Sequence, residues 1–306
     1  MLIHIGYHKT GTTWLQNFLF NDAQAGFTQP WERGDIIDRL VLADPLAFEP
    51  AETRAYFDER RNAAESRGLI PVLSAERLSG NPHSGGYDSK MIADRLAATF
   101  PPPDHRVLIV FREQKSMILS SYKQYVRVGG TSSLRRYLSP PEMGKPRVPL
   151  FRLDYFRYDR LIACYHNLYG PERVLAMPFE RLKQDAAAFT KRICDFAGAR
   201  EPSEVKRERS NIALSGLAAL LKRPINALCV RDRINPGALI DHPRLNSGME
   251  SLFETADKAT PRFVHDWFDA RARRAIAAHV ADHFREGNRR LAEILGEDLG
   301  ALGYDA

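Results

Sequence analysis

Leu2-Ile3-His4-Ile5-Gly6-Tyr7-His8-Lys9-Thr10-Gly11-Thr12-Thr13-Trp14 opens the chain with a short apolar run, a Gly/Thr turn and an amphipathic stretch that continues to Phe20. Glycines in such a turn let the backbone bend tightly, so that several N–H groups converge on one anion. The positive end of the helix that follows adds attraction, and threonine hydroxyls supply further donors. The spacing Gly6-x4-Gly11 copies a nucleotide P-loop, but Thr12 stands where that motif carries its lysine. The loop's lysine is Lys9, which puts the ammonium on a different side of a bound phosphate chain.

Outward from this loop, strand, turn and helix alternate. A helix is expected over Ala51–Ser66, stopped by Gly68, with a buried strand over Leu69–Ser74. Asp88–Phe100 reads as a helix ended by Pro101–Pro103, and Arg106–Phe111 as a strongly β-like run before a helix at Lys115–Val126. Arg173–Met177 and Glu180–Ala197 repeat the strand–helix order. A long helix over Ala270–Leu295, with Ile276, Val280, Phe284, Leu291 and Leu295 on one face, closes the chain as a cover on the core. The pattern predicts an α/β fold: a P-loop-like three-layer α/β/α arrangement with a central parallel sheet and a helical C-terminal cover. We expect one domain over 1–306, with variable segments near 21–50, 128–150 and 224–260 shaping a second substrate's cleft. Residues 21–50 and roughly 223–262 carry no clear periodicity. Residues 128–150, with Gly129-Gly130, Pro140-Pro141, Gly144, Pro146 and Pro149, form a loop too long for a plain connection.

A chain of 306 residues with 44% hydrophobic and 27% charged residues is globular, neither disordered nor fibrous. Its 44 Lys and Arg against 38 Asp and Glu give a net charge of +6. That modest, dispersed excess suits an anionic small ligand and does not call for nucleic acid. Cys164, Cys194 and Cys229 are far apart and form no C-x-x-C pair, so reduced thiols are expected. No apolar run approaches the ~18 residues of a membrane span, and the N-terminus runs straight into the loop. A cytoplasmic protein without a transmembrane segment is the expectation.

The strand Arg106–Phe111 is followed by Arg112-Glu113-Gln114-Lys115-Ser116-Met117-Ile118-Leu119-Ser120-Ser121-Tyr122. An arginine at a strand's end and a serine on the next helix can converge on one phosphate, the first with a planar fork and the second with a short donor. His8-Lys9-Thr10-Gly11-Thr12-Thr13-Trp14 resembles the 5′-phosphosulfate loop of sulfotransferases that use 3′-phosphoadenosine 5′-phosphosulfate (PAPS), with His8 where proline is common. Arg112, Ser120 and Tyr122 fall in register with that family's 3′-phosphate segment. Met177-Pro178-Phe179-Glu180-Arg181-Leu182-Lys183 is similar to its next strand–helix junction, and Arg209-Ser210-Asn211 to its later basic segment. Asn288, Asp298-Leu299 and Gly303-Tyr304 resemble the C-terminal end of bacterial members.

The resemblance implies a PAPS-dependent sulfotransferase that needs no metal and releases 3′,5′-adenosine diphosphate (PAP). It implies that Lys9 meets the oxygen bridging phosphate and sulfate, that Thr10, Gly11, Thr12 and Thr13 hold the 5′-phosphate, and that Arg112 and Ser120 hold the 3′-phosphate. Phe179 would face the nucleotide and Arg209 close over its 3′ end. Trp14 either reaches the adenine or packs in the core. The acceptor would be a hydroxyl or amine on a small molecule, glycan or glycolipid.

Removing the acceptor's proton calls for a base. Glu76, just after the strand Leu69–Ser74, is placed by topology at the ligand crevice, with His8 and His83 as rivals. His105 reads as structural. His279 and His283 sit four apart without a third ligand, so a solvated helix face outweighs a metal site. Arg135, Arg136, Lys145 and Arg147 either favour an anionic acceptor or are solvated loop charges. A metal-dependent P-loop kinase is opposed by Thr12 in the lysine slot and by Arg112 where an aspartate would end the strand. A non-catalytic nucleotide- or glycan-binding module is opposed by Lys9 and Glu76.

Overall fold

The structure, a computed structural model, describes residues 1–140, 150–205, 216–229 and 260–306. Five parallel strands, β1 (Leu2–Gly6), β2 (Phe27–Thr28), β3 (Ile70–Ser74), β4 (Arg106–Phe111) and β5 (Val174–Pro178), form one sheet in the order β2-β3-β1-β4-β5. Leu2 lies opposite Val72 on one side and Arg106 on the other, and Val107 opposite Val174. The central strands are near-continuous apolar runs, as a parallel sheet covered on both faces requires.

Alternation along those strands feeds two separate cores. Ile3, Ile5, Leu73, Val107, Ile109 and Phe111 point into one cluster. Leu2, Val72, Leu108, Val110 and Met177 point into the other. Each such side chain, fully withdrawn from water, contributes roughly 1.5–3 kcal/mol. Helices α3 (Pro50–Glu65), α4 (Ser89–Thr99), α5 (Gln114–Arg127) and α7 (Tyr158–Tyr169) bring residues to the first cluster, and α9 (Ala186–Ala197) to the second. This is the three-layer α/β/α arrangement expected from the sequence.

The structure departs from the expected elements where local chemistry outweighs hydrophobic period. Residues 21–50 are more ordered than expected: they hold β2 and α2 (Arg33–Ile36), the latter continuing as a π-helical turn over Ile37–Val41. The stretch after the first loop is α1 (Thr12–Trp14) followed by a π-helical turn, Leu15–Leu19. The helix expected over 180–197 is two helices, α8 (Phe179–Gln184) and α9, because the Asp185 carboxylate caps α9 by accepting from the N–H groups of Ala187 and Ala188. The C-terminal helix is likewise broken: α11 (Arg262–Val280) and α12 (Arg285–Leu295) are separated at Ala281, whose φ of 43° lies outside the helical region. His279 and His283 therefore do not share one helix, and both are exposed. Two further helices, α6 (Leu134–Leu138) and α10 (Gly216–Cys229), lie against the α5 side of the molecule.

The carboxyl ends of β1, β3, β4 and β5 open on the same edge. After β3 the chain crosses β1 to form β4, so a crevice lies outside the end of β1. No described helix is long and apolar enough to cross a membrane, and Cys164 and Cys194 are free thiols.

Candidate active site

The loop at the end of β1 is anchored before it turns. Tyr7 extends the ladder by donating its N–H to the Val110 carbonyl at 3.0 Å, and its ring is buried edge-on against Tyr155 and Tyr158. The Thr10 hydroxyl donates to the Tyr7 carbonyl at 2.6 Å, which pins the turn. That hydroxyl is committed to the loop, so what Thr10 can still offer a ligand is its backbone N–H. Lys9 and Gly11 both adopt positive φ, 64° and 81°. Such geometry is costly for lysine and marks a loop held by its surroundings. Helix α1 starts at once, the Leu15 N–H donating to the Gly11 carbonyl.

On one side the loop meets the ends of β4 and β5. A methyl on Gly11 would sit 2.8 Å from the Phe179 ring and 3.0 Å from Leu182, so glycine is what lets α8 close on the turn. Arg112 Nη1 approaches the Lys9 carbonyl at 3.4 Å and the guanidinium stands 5.7 Å from the Phe179 ring centre. Lys183 lies over the same ring at 4.8 Å. Ser120 is half-buried about two turns into α5, and Tyr122 is buried, its hydroxyl donating to the Ser132 carbonyl at 3.2 Å. Arg209 lies outside the described residues, as do Lys145 and Arg147. Trp14 packs into the second core cluster beside Phe18.

The contacts that hold the start of α5, just after Arg112, were not foreseen. Glu113 caps α5 by accepting from the N–H groups of Lys115 and Ser116. Its own N–H donates to Glu180 Oε1 at 3.2 Å, and the Tyr304 hydroxyl donates to Glu180 Oε2 at 2.9 Å. Gln114 donates to Asn288 at 2.6 Å inside the protein, and Asn288 donates to the Asp305 carbonyl at 2.8 Å. The C-terminal Asn288 and Tyr304 thus buttress the start of α5; their position in the sequence carried no signal of this.

On the other side the loop faces the turn after β3. Glu76 opens a 3-10 turn, Glu76–Ser79, and its Oε2 accepts from Arg33 at 3.2 Å. Burial lowers the Lys9 pKa; Glu76 partly offsets this, and Arg127 at the end of α5 adds to it. His8 Nε2 is enclosed without a partner among the described residues, and burial, then the charges of His83, Arg77, Arg33 and Lys9, push the ring's pKa to about 3. His83 accompanies Tyr137, Nδ1 to hydroxyl 3.0 Å, and burial takes it to about 4. His105 is buried at the far end of β4, held to the Pro101 carbonyl at 2.7 Å. Arg135 and Arg136 are exposed on α6. Lys9, Glu76 and Arg33 thus form one charged cluster beside the neutral His8 ring, while Arg112 and Phe179 enclose the opposite flank.

The sequence over residues 1–217 matches the sulfotransferase domain. The chain belongs to the sulfotransferase domain family. Sulfotransferases transfer sulfuryl groups, and the family generally uses PAPS and yields PAP. Among solved structures, a sulfotransferase from Alicyclobacillus acidocaldarius is similar at 17% identity, covering 98% of this chain and 97% of that one, with a TM-score of 0.50. The sulfotransferase domain of the Synechococcus PCC 7002 olefin synthase covers 65% of this chain and 73% of its own at 14% identity, TM-score 0.41. A mouse sulfotransferase complexed with PAP covers 88% of both chains at 15% identity, TM-score 0.32. The likeness of fold rests on the first. Comparison with curated protein sequences finds no match.

Proposed function

We propose that this sulfotransferase uses PAPS as donor, passing its sulfuryl group to a hydroxyl or amine of an acceptor and releasing PAP. The observation that carries the reading is the placement of Lys9. It sits in an anion-binding turn, with Glu76 within electrostatic reach on one side and Arg112 bonded to its own carbonyl on the other. Donor and acceptor would thus meet at one lysine.

The residues present suit the donor. Thr12 Oγ1 and Arg112 Nε are buried polar atoms without a partner among the described residues, on a loop already bent for converging N–H groups. Unmet buried donors are costly, and an anion satisfies them. Backbone N–H groups of Thr10–Thr13 and the Thr12 hydroxyl would hold the 5′-phosphate, Arg112 and Ser120 the 3′-phosphate, and Phe179 a face of the nucleotide. PAPS supplies an activated sulfuryl group, and Lys9 stabilises the charge that gathers on the bridging oxygen as transfer proceeds.

Glu76 takes the acceptor's proton in this reading. Its carboxylate faces the Lys9 side of the loop and is oriented by Arg33, whereas the His83 ring is engaged with the Tyr137 hydroxyl. The acceptor would enter past Arg33 of the 21–50 segment; the other two segments assigned to its cleft, 128–150 and 224–260, lie partly outside the described residues. The free thiols Cys164 and Cys194 support a reducing, cytoplasmic setting.

A thermal-shift comparison tests the reading. PAP at a hundred times its Kd adds about 2.7 kcal/mol, a rise of about 4 °C, which chelator should leave intact. Stabilisation by ATP with Mg2+ but not by PAP, together with phosphate release, would favour a kinase instead.

A further inference from the structure

The strand that leads into the loop carries a polar side chain to which the reading above gives no role. His4 is fully buried on β1, edge-on to Phe20 with ring centres 5.1 Å apart. Its Nδ1 lies 2.8 Å from Ser74 Oγ on β3. Gln16 Nε2 donates to that Oγ at 3.0 Å and to the Ser74 carbonyl at 3.2 Å. Gln29 Nε2 donates to the Gln16 carbonyl at 2.8 Å.

Hydrogen-bond direction follows by elimination. An amide nitrogen only donates, so Ser74 Oγ accepts from Gln16 and has one hydroxyl proton to place. The acceptor beside it is His4 Nδ1. Burial pushes the ring's pKa to about 3, so the imidazole is neutral, and the tautomer that receives the Ser74 proton at Nδ1 is the one protonated on Nε2. His4 Nε2 has no partner among the described residues, and neither has the buried Thr12 Oγ1. The two atoms border the same point: a methyl on Gly6 would sit 2.3 Å from Thr12 Oγ1 and 3.2 Å from His4 Nε2.

We propose that His4 is a positioning residue for the donor: when the 5′-phosphate binds, His4 Nε2–H and Thr12 Oγ1, unbonded to each other in this structure, close across Gly6 into a hydrogen bond that turns the Thr12 hydroxyl proton toward the 5′-phosphate. Donation then runs one way, from Gln16 through Ser74, His4 and Thr12 to the anion, each bond polarising the next. Gly6 leaves the room in which the last protein bond forms. The proposal rests on the reading that Thr12 meets the donor's 5′-phosphate.

Calorimetric titration of PAP tests it without an acceptor. The proteins are the wild type, Thr12→Val, His4→Phe and the double variant, each with its Tm. Thr12→Val should weaken PAP about tenfold, and His4→Phe two- to tenfold. The double variant should bind no worse than Thr12→Val, because both remove the same relay. His4→Gln, whose amide can still donate, should recover part of the loss. In 15N spectra of histidine-labelled protein, the His4 signal absent from His4→Phe should report protonated Nε2 and bare Nδ1. Unchanged PAP affinity in His4→Phe, full additivity with Thr12→Val, or a protonated Nδ1 would each overturn the relay alone. If Thr12→Val binds PAP as the wild type does, the assignment of Thr12 fails and takes the relay with it; a wild type that does not bind PAP refutes the donor itself. Should His4→Phe not fold, Ser74→Ala, which removes the donor that sets the tautomer, carries the same cycle.

Discussion

Arg33 donates to Glu76 Oε2 at 3.2 Å, tying helix α2 to the turn that follows β3. The arginine is largely exposed, and a pair of this kind adds little to stability. Its consequence is orientation: the carboxylate is held by one oxygen, and on the proposed reading the other would face the acceptor. Glu76→Gln should therefore lower turnover by about 10²–10⁴, the usual weight of a general base, with PAP affinity unchanged. Arg33→Met should lower turnover by about tenfold and Arg33→Lys should restore most of it. Steady-state rates with labelled PAPS, beside PAP titrations, separate the two effects. A Glu76→Gln enzyme with full activity would remove Glu76 from the chemistry.

Lys9 gives a prediction about pH. Burial disfavours its ammonium and lowers its pKa below the ordinary 10.5; Glu76 partly offsets the shift and Arg127 adds to it. Anion binding uses the charged form, so PAP affinity should decline as pH rises through that lowered value, earlier than an ordinary lysine would allow. Calorimetry across the alkaline range checks this, and Lys9→Met should bind more weakly with no such decline. Lys9→Ala should cost turnover about 10²–10³, as deletion of a donor aimed at developing charge does.

Much of this was legible in the sequence. The strand, the loop glycines and the following helix at residues 2–14 are local features, and apolar runs marked β3, β4 and β5. What escaped were contacts set by tertiary structure. Residues 21–50 lack a period because two short helical pieces and a two-residue strand bury only scattered side chains such as Ile36, Leu40 and Phe27. The helix α7 has no counterpart in the sequence reading, although Leu161, Ile162 and Tyr165 are buried along it. The Glu113–Glu180–Tyr304 network joins residues far apart in the chain, and no spacing rule reports that. Thr10 shows what a motif leaves open: its hydroxyl is bonded to the loop itself, which leaves the backbone N–H as what it can offer a ligand.

Gly11 should tolerate no side chain. Its φ of 81° penalises any L-residue by roughly 1–2 kcal/mol, and a Cβ would meet Phe179 at 2.8 Å. Overpacking of that kind adds about 1–3 kcal/mol. Gly11→Ala should lower Tm by roughly 3–8 °C and weaken PAP. Adding Phe179→Ala should relieve the packing part and leave the backbone part, so the double variant should recover some of the Tm lost. No recovery would mean that the strain is purely that of the backbone.

Arg112 and Ser120 should decide how PAPS is told from other adenine nucleotides, because the feature that distinguishes PAPS is its 3′-phosphate. A charge-assisted hydrogen bond contributes roughly 1.5–3 kcal/mol, so Arg112→Ala should weaken PAP by about tenfold to more than a hundredfold. Arg112 Nη1 also approaches the Lys9 carbonyl at 3.4 Å, so a small loss common to all nucleotides is expected from the loop. Adenosine 5′-phosphosulfate, which lacks the 3′-phosphate, should report that common part alone and bind the wild type poorly. Ser120→Ala leaves the loop contact intact, and its smaller loss should fall wholly on PAP. Arg112→Lys keeps the charge but not the planar fork, and should lie between wild type and alanine. Titrating both nucleotides against these variants separates the terms. Equal losses for the two nucleotides in Arg112→Ala would assign that residue to the loop and leave the 3′-phosphate to other groups.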